Sequence, residues 1–554
     1  MGIAARQRKT NSPVIITLSL AAFALSAACA QNHGPRPAPQ SYRVAGTVVN
    51  ANTGEPVRGA AVALLTVEDS HVVASTESGD DGKFAMDGLT AAKYQLTASK
   101  RGYSTGFYNQ HFEYNSAIVT GPAQDTGSLV FRLSPAGVIF GVVTGDGGDP
   151  VEGAIVMLFE KPHRHVPDEK IEQLQTVQTD DTGAYEFAGL EPGDYLIAVK
   201  ARPWYAMNRN SDDTAVQETD AEAALDVAYP VTFFDSTTDE SSATAITLPT
   251  GAREEADISL HAVQAIHLSV QSSKQRDGAM AHRELVQTVF GQQVEGEGFG
   301  YEQPAGGPSD TTLYTGIAPG HYELLQGDPP RLVDFDANSS QQLDPAAGVP
   351  TQTVSGKIET VDGNAFTGRG VVELEPADGT GPLIPDAPIM GDSFKFDAVP
   401  AGAWVLQAVG QETQLPVLAV GPRNGKPQSG NRITVEDKPL ALTVTVSASN
   451  TRLEGFAVKN GKGLAGAMVI LVPRDLAEIA ELARRDQSDS DGSFALLNVA
   501  PGNYTVLAIE DAWGMDWFDP AVISRYLPRG IAVTVKDKSE KTVHLGQPVE
   551  VQAK

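Results

Sequence analysis

One phrase recurs five times along this chain and constrains its fold more than any other feature. In the first copy Gly82, Phe84, Met86 and Leu89 lead through a turn to Tyr94, Leu96 and Ala98. In the second, Gly183, Tyr185, Phe187 and Leu190 lead through Pro192-Gly193 to Tyr195, Ile197 and Ala198. The third runs from Leu313 through Ile317 and Pro319-Gly320 to Tyr322, and the fourth from Phe394 and Phe396 through Val399-Pro400 to Trp404. The fifth has Gly492, Phe494, Leu496 and Val499, then Pro501-Gly502 and Tyr504 with Val506. Apolar residues alternate with others on both sides of a short Pro/Gly turn, the period of two expected of antiparallel strands joined as a hairpin.

A second phrase stands upstream in four of the units. Gly46 and Val48 precede Gly54-Glu55-Pro56-Val57 and Gly59-Ala60; Gly141 and Val143 precede Gly148-Asp149-Pro150-Val151 and Gly153-Ala154. Gly455 and Val458 precede Leu464 and Gly466-Ala467, whereas Gly356 with Gly363, Phe366 and Gly368 is a worn copy. Alternating strands bury one face only against a second sheet, so each unit is expected to be a small antiparallel β-sandwich. With 554 residues, 54 Gly and 35 Pro, the chain is too long for one core and rich in turns. The fold class is all-β: a tandem array of about five sandwiches, spanning 42–135, 136–262 with an aromatic and acidic insertion, a degenerate 263–348, 349–448 and 449–554.

Together the two phrases resemble the carboxypeptidase regulatory-like domain, related to transthyretin (prealbumin) and to the B-type repeats of bacterial collagen adhesins. The resemblance implies the sandwich fold and says little about function. Adhesin-like relatives often carry a Lys–Asn isopeptide bond. The early strands here offer only Lys357 and Lys459, so no such crosslink is expected.

Residues 1–30 read as a signal peptide. Arg6, Arg8 and Lys9 precede an apolar run from Val14 to Ala24 that is too short to anchor in a bilayer. Ala28-Cys29-Ala30 favours cleavage before Gln31, followed by a linker over 31–41. The alternative is a lipobox, Ser26-Ala27-Ala28-Cys29, in which Cys29 is lipidated and the protein is a lipoprotein. Cys29 is the single cysteine, so a mature chain beginning at Gln31 has neither a disulfide nor a thiol nucleophile. An exported location follows: periplasm, cell surface or medium. A net charge of −28 excludes nucleic acid as a partner, because phosphate binding needs clustered cations. No later segment is long and apolar enough for a transmembrane span.

The ten His form no zinc-protease pair, and the nearest cluster, Glu160 with His163 and His165, lies between strands and is expected to be a loop histidine pair that faces water. No nucleophile elbow or phosphate loop occurs. The acidic turns Asp80-Asp81-Gly82, Asp180-Asp181-Thr182-Gly183 and Asp489-Ser490-Asp491-Gly492 lack the ligand spacing of a calcium loop, and Asp-Gly is what a tight turn needs. Neither cofactor nor metal is expected. Asp475 caps a short amphipathic helix expected over 476–485, with a weaker equivalent over 167–178.

Aromatic residues gather just after the repeated phrase in three units. They are Tyr103, Phe107, Tyr108, Phe112 and Tyr114; Trp204, Tyr205, Tyr229, Phe233 and Phe234; and Trp513, Trp517, Phe518 and Tyr526. They either pack as lids on the sandwich ends or form stacking platforms for sugars or protein loops. The residues that would carry binding are Trp513, Trp517, Phe518 and Tyr526, with Trp204, Tyr205 and Tyr108. The resulting expectation is an exported, non-enzymatic binding or adhesion-type module whose ligand is polysaccharide or an envelope protein. Its rivals are a passive spacer and, third, an enzyme with an unrecognised site.

Overall fold

The computed structural model describes residues 41–554 except 123, 162–170, 207–223, 272–283, 296–298, 303–310, 327–330, 362, 378–381, 383, 411–413, 424, 448–450 and 537–540. The signal peptide, Cys29, His163 and His165 lie outside the described residues. Strands dominate the rest. Among the described residues no helix is long and apolar enough to cross a membrane.

The first sandwich shows the design. Tyr42–Asn50 lies between Lys83–Leu89 and a parallel Leu129–Leu133 in one sheet. Ala61–Thr66 lies between Val72–Glu77 and Lys93–Ser99 in the other. Val44, Val48, Phe84, Met86 and Phe131 from one sheet meet Val62, Leu64, Tyr94, Leu96 and Ala98 from the other in a closed core. Comparable cores follow, running from Ile139 to Leu260, from Ile266 to Leu343, from Val354 to Val446 and from Leu453 to Val551.

The repeated phrase is a pair of strands, but it is no hairpin. Lys83–Leu89 pairs with Tyr42–Asn50, whereas Lys93–Ser99 pairs with Ala61–Thr66 in the opposite sheet. The same division separates Ala184–Leu190 from Gly193–Lys200 and Ser393–Pro400 from Gly402–Gly410; Ser493–Leu496 and Gly502–Ile509 likewise pair with different strands, Arg452–Lys459 and Met468–Pro473, although Val549–Gln552 links the two halves into one nine-stranded sheet. The Pro/Gly turn is therefore an arch over the end of the sandwich. The apolar residues on its two sides face each other across the core, an arrangement that a hairpin within one sheet cannot provide. Period-two patterning cannot separate the two cases, because both alternate.

The arch is pinned by the aromatic residue that marks the phrase. Tyr94, Tyr195, Tyr322 and Tyr504 donate their hydroxyls to the carbonyls of Thr90, Glu191, Ala318 and Ala500, at 3.2, 2.7, 2.8 and 2.8 Å. Trp404 performs the same task through Nε1, 3.2 Å from Pro400 O. In all five units the acceptor is four residues upstream, so a buried polar tip finds its partner and the corner is held. This explains how the third unit, which lacks the upstream phrase, keeps its arch.

A second recurring device was written in the sequence and missed. Four residues before the turn glycines stand Ser78, Thr179 and Ser488. Each hydroxyl accepts from the backbone N–H of Ala60, Ala154 or Ala467 and donates to the carbonyl of Val57, Val151 or Leu464, at 2.6–2.9 Å. It satisfies the buried backbone of the Gly-Ala turn from the neighbouring strand end. Thr179→Ala strands one donor and one acceptor, so it is expected to cost about 1–3 kcal/mol, with Thr179→Ser largely restoring the loss. Urea midpoints of the three proteins check this.

The turn glycines have a related constraint. Gly183 has φ +75°, and a Cβ there would lie 2.5 Å from Val143 O; at Gly492 the values are +85° and 2.5 Å from Ala457 O. Only glycine combines that backbone with that approach. The turn carboxylates are occupied locally: Asp180 Oδ1 accepts from the backbone of Thr182 and Ala184, both at 2.9 Å. The Thr182 hydroxyl and these N–H groups hold its carboxyl below the ordinary value.

Two helical expectations are corrected. Over 476–485 only a turn of 3-10 helix, Leu476–Glu478, and one α turn, Ile479–Leu482, form beyond the Asp475 cap. Arg484–Gln487 is instead a strand paired with Met468–Pro473, because an open sheet edge recruits it. Within 167–178 the described part is the edge strand Glu172–Gln178, paired with Ile155–Glu160. Sheet pairing overrides a weak local helical preference in both places.

Adjacent sandwiches are joined in different ways. Arg331–Ala337 of the third pairs with Val349–Thr360 of the fourth, so one nine-stranded sheet runs through both. Between the second and third, Phe290 sits edge-on to Phe159 and Phe233, at 5.1 and 5.0 Å.

Candidate functional site

Five of the aromatic insertion residues, Tyr114, Trp513, Trp517, Phe518 and Tyr526, are brought together in one place, where the first sandwich meets the fifth. The turn of the fifth unit lies along the segment that ends the first unit's insertion. Ala117 N donates to Asp489 Oδ1 at 2.8 Å, Val119 N to Ser490 Oγ at 2.8 Å, and Ser490 N to Ala117 O at 3.0 Å. Lys93 Nζ lies 2.5 Å from Asp489 Oδ2 and 2.8 Å from Ser493 Oγ. Gln487 closes the row, its Oε1 accepting from His111 Nδ1 at 2.9 Å and its Nε2 donating to Ser116 Oγ at 2.9 Å.

Rings cover this polar row. Trp513 stacks on His111 with centroids 5.0 Å apart and planes 8° from parallel, and Tyr114 tilts onto the same indole at 5.5 Å. Trp513 Nε1 donates to Gly466 O at 3.2 Å. The Arg485 guanidinium lies between the Tyr114 and Trp517 rings, 5.1 and 4.9 Å from their centroids, with its side chain buried. Phe518 and Tyr526 pack half-buried on the same cluster.

This placement corrects the expectation of an open platform around Trp513 and Trp517. They are 6% and 3% exposed, and the Met468, Ile470 and Ile509 face beneath them needs covering. Seated in that second core of the fifth unit, the rings offer no face to solvent. Tyr108 likewise packs on the first core, 6.3 Å from Phe131, where burial raises its hydroxyl's pKa.

The seam also encloses acid groups that sequence reasoning passed over. Asp486 accepts from Gln487 N at 2.8 Å and Ala495 N at 2.6 Å, and burial pushes its carboxyl up to about 7. Asp489 is also raised by burial, against the pull of Lys93. Polar residues at strand ends give no signal of burial until the covering domain is known. The pairing joins residues some 370 positions apart, which no local pattern reports.

Trp204 is placed differently. It is 88% exposed, while the chain's other tryptophans, Trp404, Trp513 and Trp517, are buried. It sits on the turn that follows Gly193–Lys200, closed by Ala206 N to Pro203 O at 3.0 Å. Tyr205 stands edge-on to it at 5.7 Å and hydrogen-bonds Tyr229. Tyr229 belongs to the second core, and Phe233 to the packing against the third sandwich.

The remaining candidates have local partners. Glu160 ends its strand opposite Tyr195. Lys357 Nζ lies 2.9 Å from Asp392 Oδ2, and Lys459 pairs with Glu510. Among the described residues no group of three or more His, Cys, Asp and Glu is arranged to hold a metal ion.

The fold is thus a tandem array of β-sandwiches with arch-pinning aromatics and domain seams. Residues 43–133 and 138–261 each match the family of carboxypeptidase regulatory-like domains. Among solved structures the chain is similar to the minor pilin of Streptococcus agalactiae, at 14% identity over 43% of this chain and 100% of that one, TM-score 0.20. It is also similar to the Bacillus anthracis TIE protein, at 10% identity over 74% of this chain and 76% of that one, TM-score 0.17. A third is the shaft pilin of Lactobacillus rhamnosus GG, at 11% identity over 40% and 97%, TM-score 0.19. No curated protein sequence matches the chain.

Proposed function

We propose that this protein is an exported, non-catalytic binding module of the adhesion type, acting on polysaccharide through the exposed ring of Trp204. The observation that carries the reading is the contrast among the tryptophans. Three serve packing, while Trp204 stands 88% exposed on a closed turn of a rigid sandwich. A large ring held out to water gains nothing for the fold, whereas a flat face on an ordered turn suits a sugar ring. The passive-spacer reading fits less well. Docking the fifth sandwich on the first gives up the reach that a spacer needs.

The test is retention of the mature chain on immobilised polysaccharides, including acidic ones. Trp204→Ala is expected to lose retention while keeping the wild-type urea midpoint, since an exposed ring contributes to a complex and scarcely to the fold. Unchanged retention in that variant, or retention on no polysaccharide, removes the reading.

A further inference from the structure

We infer that the seam between the first and fifth sandwiches is a proton-operated clasp, which holds the array closed on itself in weakly acidic medium and parts above neutral pH while both sandwiches stay folded. The inference is independent of the polysaccharide reading above.

Separability follows from where the cores lie. The core of the first sandwich, around Val48, Leu64 and Phe131, and that of the fifth, around Leu453, Val469 and Val506, each close without a residue from the other. The first sandwich adds Tyr114 and the stacked His111 ring to the outside of the fifth's second core. The hydrogen bonds that cross the seam come from Ala117 N, Val119 N, Ser490 N, Ser116 Oγ and Gln487 Nε2, groups that water serves once the two sides separate. Domains joined by such a contact part before they unfold, because parting leaves their own cores covered.

Protons enter through the count of charges. Closing the seam places the carboxyls of Asp486 and Asp489 beside one ammonium, Lys93, which reaches Asp489 Oδ2 from the first sandwich. Little water reaches this row, where the Asp489 side chain is 13% exposed. Half-buried Asp491, bonded to the Ser493 hydroxyl, adds a further carboxylate beside Asp489. The guanidinium groups are engaged elsewhere. Arg485 faces Glu113 and lies between the Tyr114 and Trp517 rings, and Arg484 bonds the carbonyls of Ala483 and Asn498. His111 donates Nδ1 to Gln487 Oε1, a bond that it makes whether neutral or charged.

With a proton on Asp486, Lys93 has one charged carboxylate, Asp489, to match. Without it, Asp486 and Asp489 share a single ammonium in a poorly hydrated place, and their repulsion opposes closure. Burial accordingly raises both carboxyls in the closed seam. In the parted chain both face water and return to ordinary values, so the closed form binds more protons and closure weakens as pH rises. Parting lengthens the array and uncovers the His111 and Tyr114 rings, so reach and exposed surface follow the proton concentration around the protein.

The test uses the full mature chain between pH 5 and pH 8. Amide protection factors, corrected for the intrinsic pH dependence of exchange, are read at Ala117 and Val119 in the seam and at Leu64 and Val506 in the two cores. From pH 5 to pH 8 the seam amides are expected to lose at least about tenfold in protection while the core amides keep theirs. The maximum dimension from small-angle X-ray scattering is expected to grow over the same range. Asp486→Asn, which keeps the shape and removes the second charge, is expected to retain seam protection at pH 8. Lys93→Met leaves both carboxyls unmatched and is expected to part at a lower pH than the wild type. Equal seam protection at the two ends of the range, loss of seam and core protection together, or wild-type loss in a folded Asp486→Asn overturns the clasp. If Asp486→Asn does not fold, Lys93→Met decides, and a parting pH unchanged from the wild type overturns it.

Discussion

Trp513→Ala is expected to cost about 3–5 kcal/mol and to open the seam between the first and fifth sandwiches. The ring is buried, stacks on His111, meets Tyr114 and bonds Gly466 O, so truncation empties a volume walled by both domains. The two consequences can be read separately. Stability is followed by the denaturant midpoint, and seam opening by hydrogen exchange at Ala117 and Val119, whose N–H groups end on Asp489 and Ser490 of the other sandwich. Trp404→Ala supplies the comparison, because Trp404 is as deeply buried but within the fourth core. It is expected to lose similar stability and to leave those two amides protected. Protection retained at both amides in Trp513→Ala would show that the polar row holds the seam without its aromatic cover.

That row shows where sequence reading stops. The five-fold phrase, with Phe84 and Met86 facing Tyr94 and Leu96, made the sandwiches legible, because alternation with glycine-marked turns has few folded solutions. The same alternation hid the arch, since inward-facing residues alternate whether the next strand continues the sheet or crosses to the other. Ser78, Thr179 and Ser488 were readable from their fixed distance to Gly82, Gly183 and Gly492, but their role appears only once the Gly-Ala turn is seen beside them. Trp513 and Trp204 were indistinguishable as aromatic residues in turn-rich segments. One faces a second domain and the other faces water, and that difference lies in tertiary docking. Gln487, Asp489 and Ser490 look like any polar turn, yet they are covered because the first sandwich approaches from several hundred residues away.

Burying carboxyl groups in that seam makes stability depend on pH in an unusual direction. Asp486 holds its proton up to about 7 in the fold, whereas an unfolded aspartate releases it near 3.9. Between those values the folded chain binds more protons than the unfolded one, so stability falls as pH rises from about 4 to about 7 and levels off above. The ceiling for this one group is on the order of 4 kcal/mol, from about three pH units at 1.36 kcal/mol each. Asp489, also raised, acts in the same sense. His321, raised chiefly by its hydrogen bond to Asp336, adds stability that is full below its unfolded value and is lost as pH climbs through its folded one. The exposed turn carboxylates Asp81 and Asp180, lowered by their local bonds, oppose this only as pH falls below about 4. The urea midpoint is therefore expected to be higher at pH 5 than at pH 8. Asp486→Asn is expected to flatten that slope. Its amide can accept only one of the two N–H groups, from Gln487 and Ala495, so the midpoint at pH 5 should fall as well. The slope tests the buried acid and the level tests its hydrogen bonds; a midpoint that rises from pH 5 to pH 8 in the wild type would mean that the seam does not keep Asp486 from water.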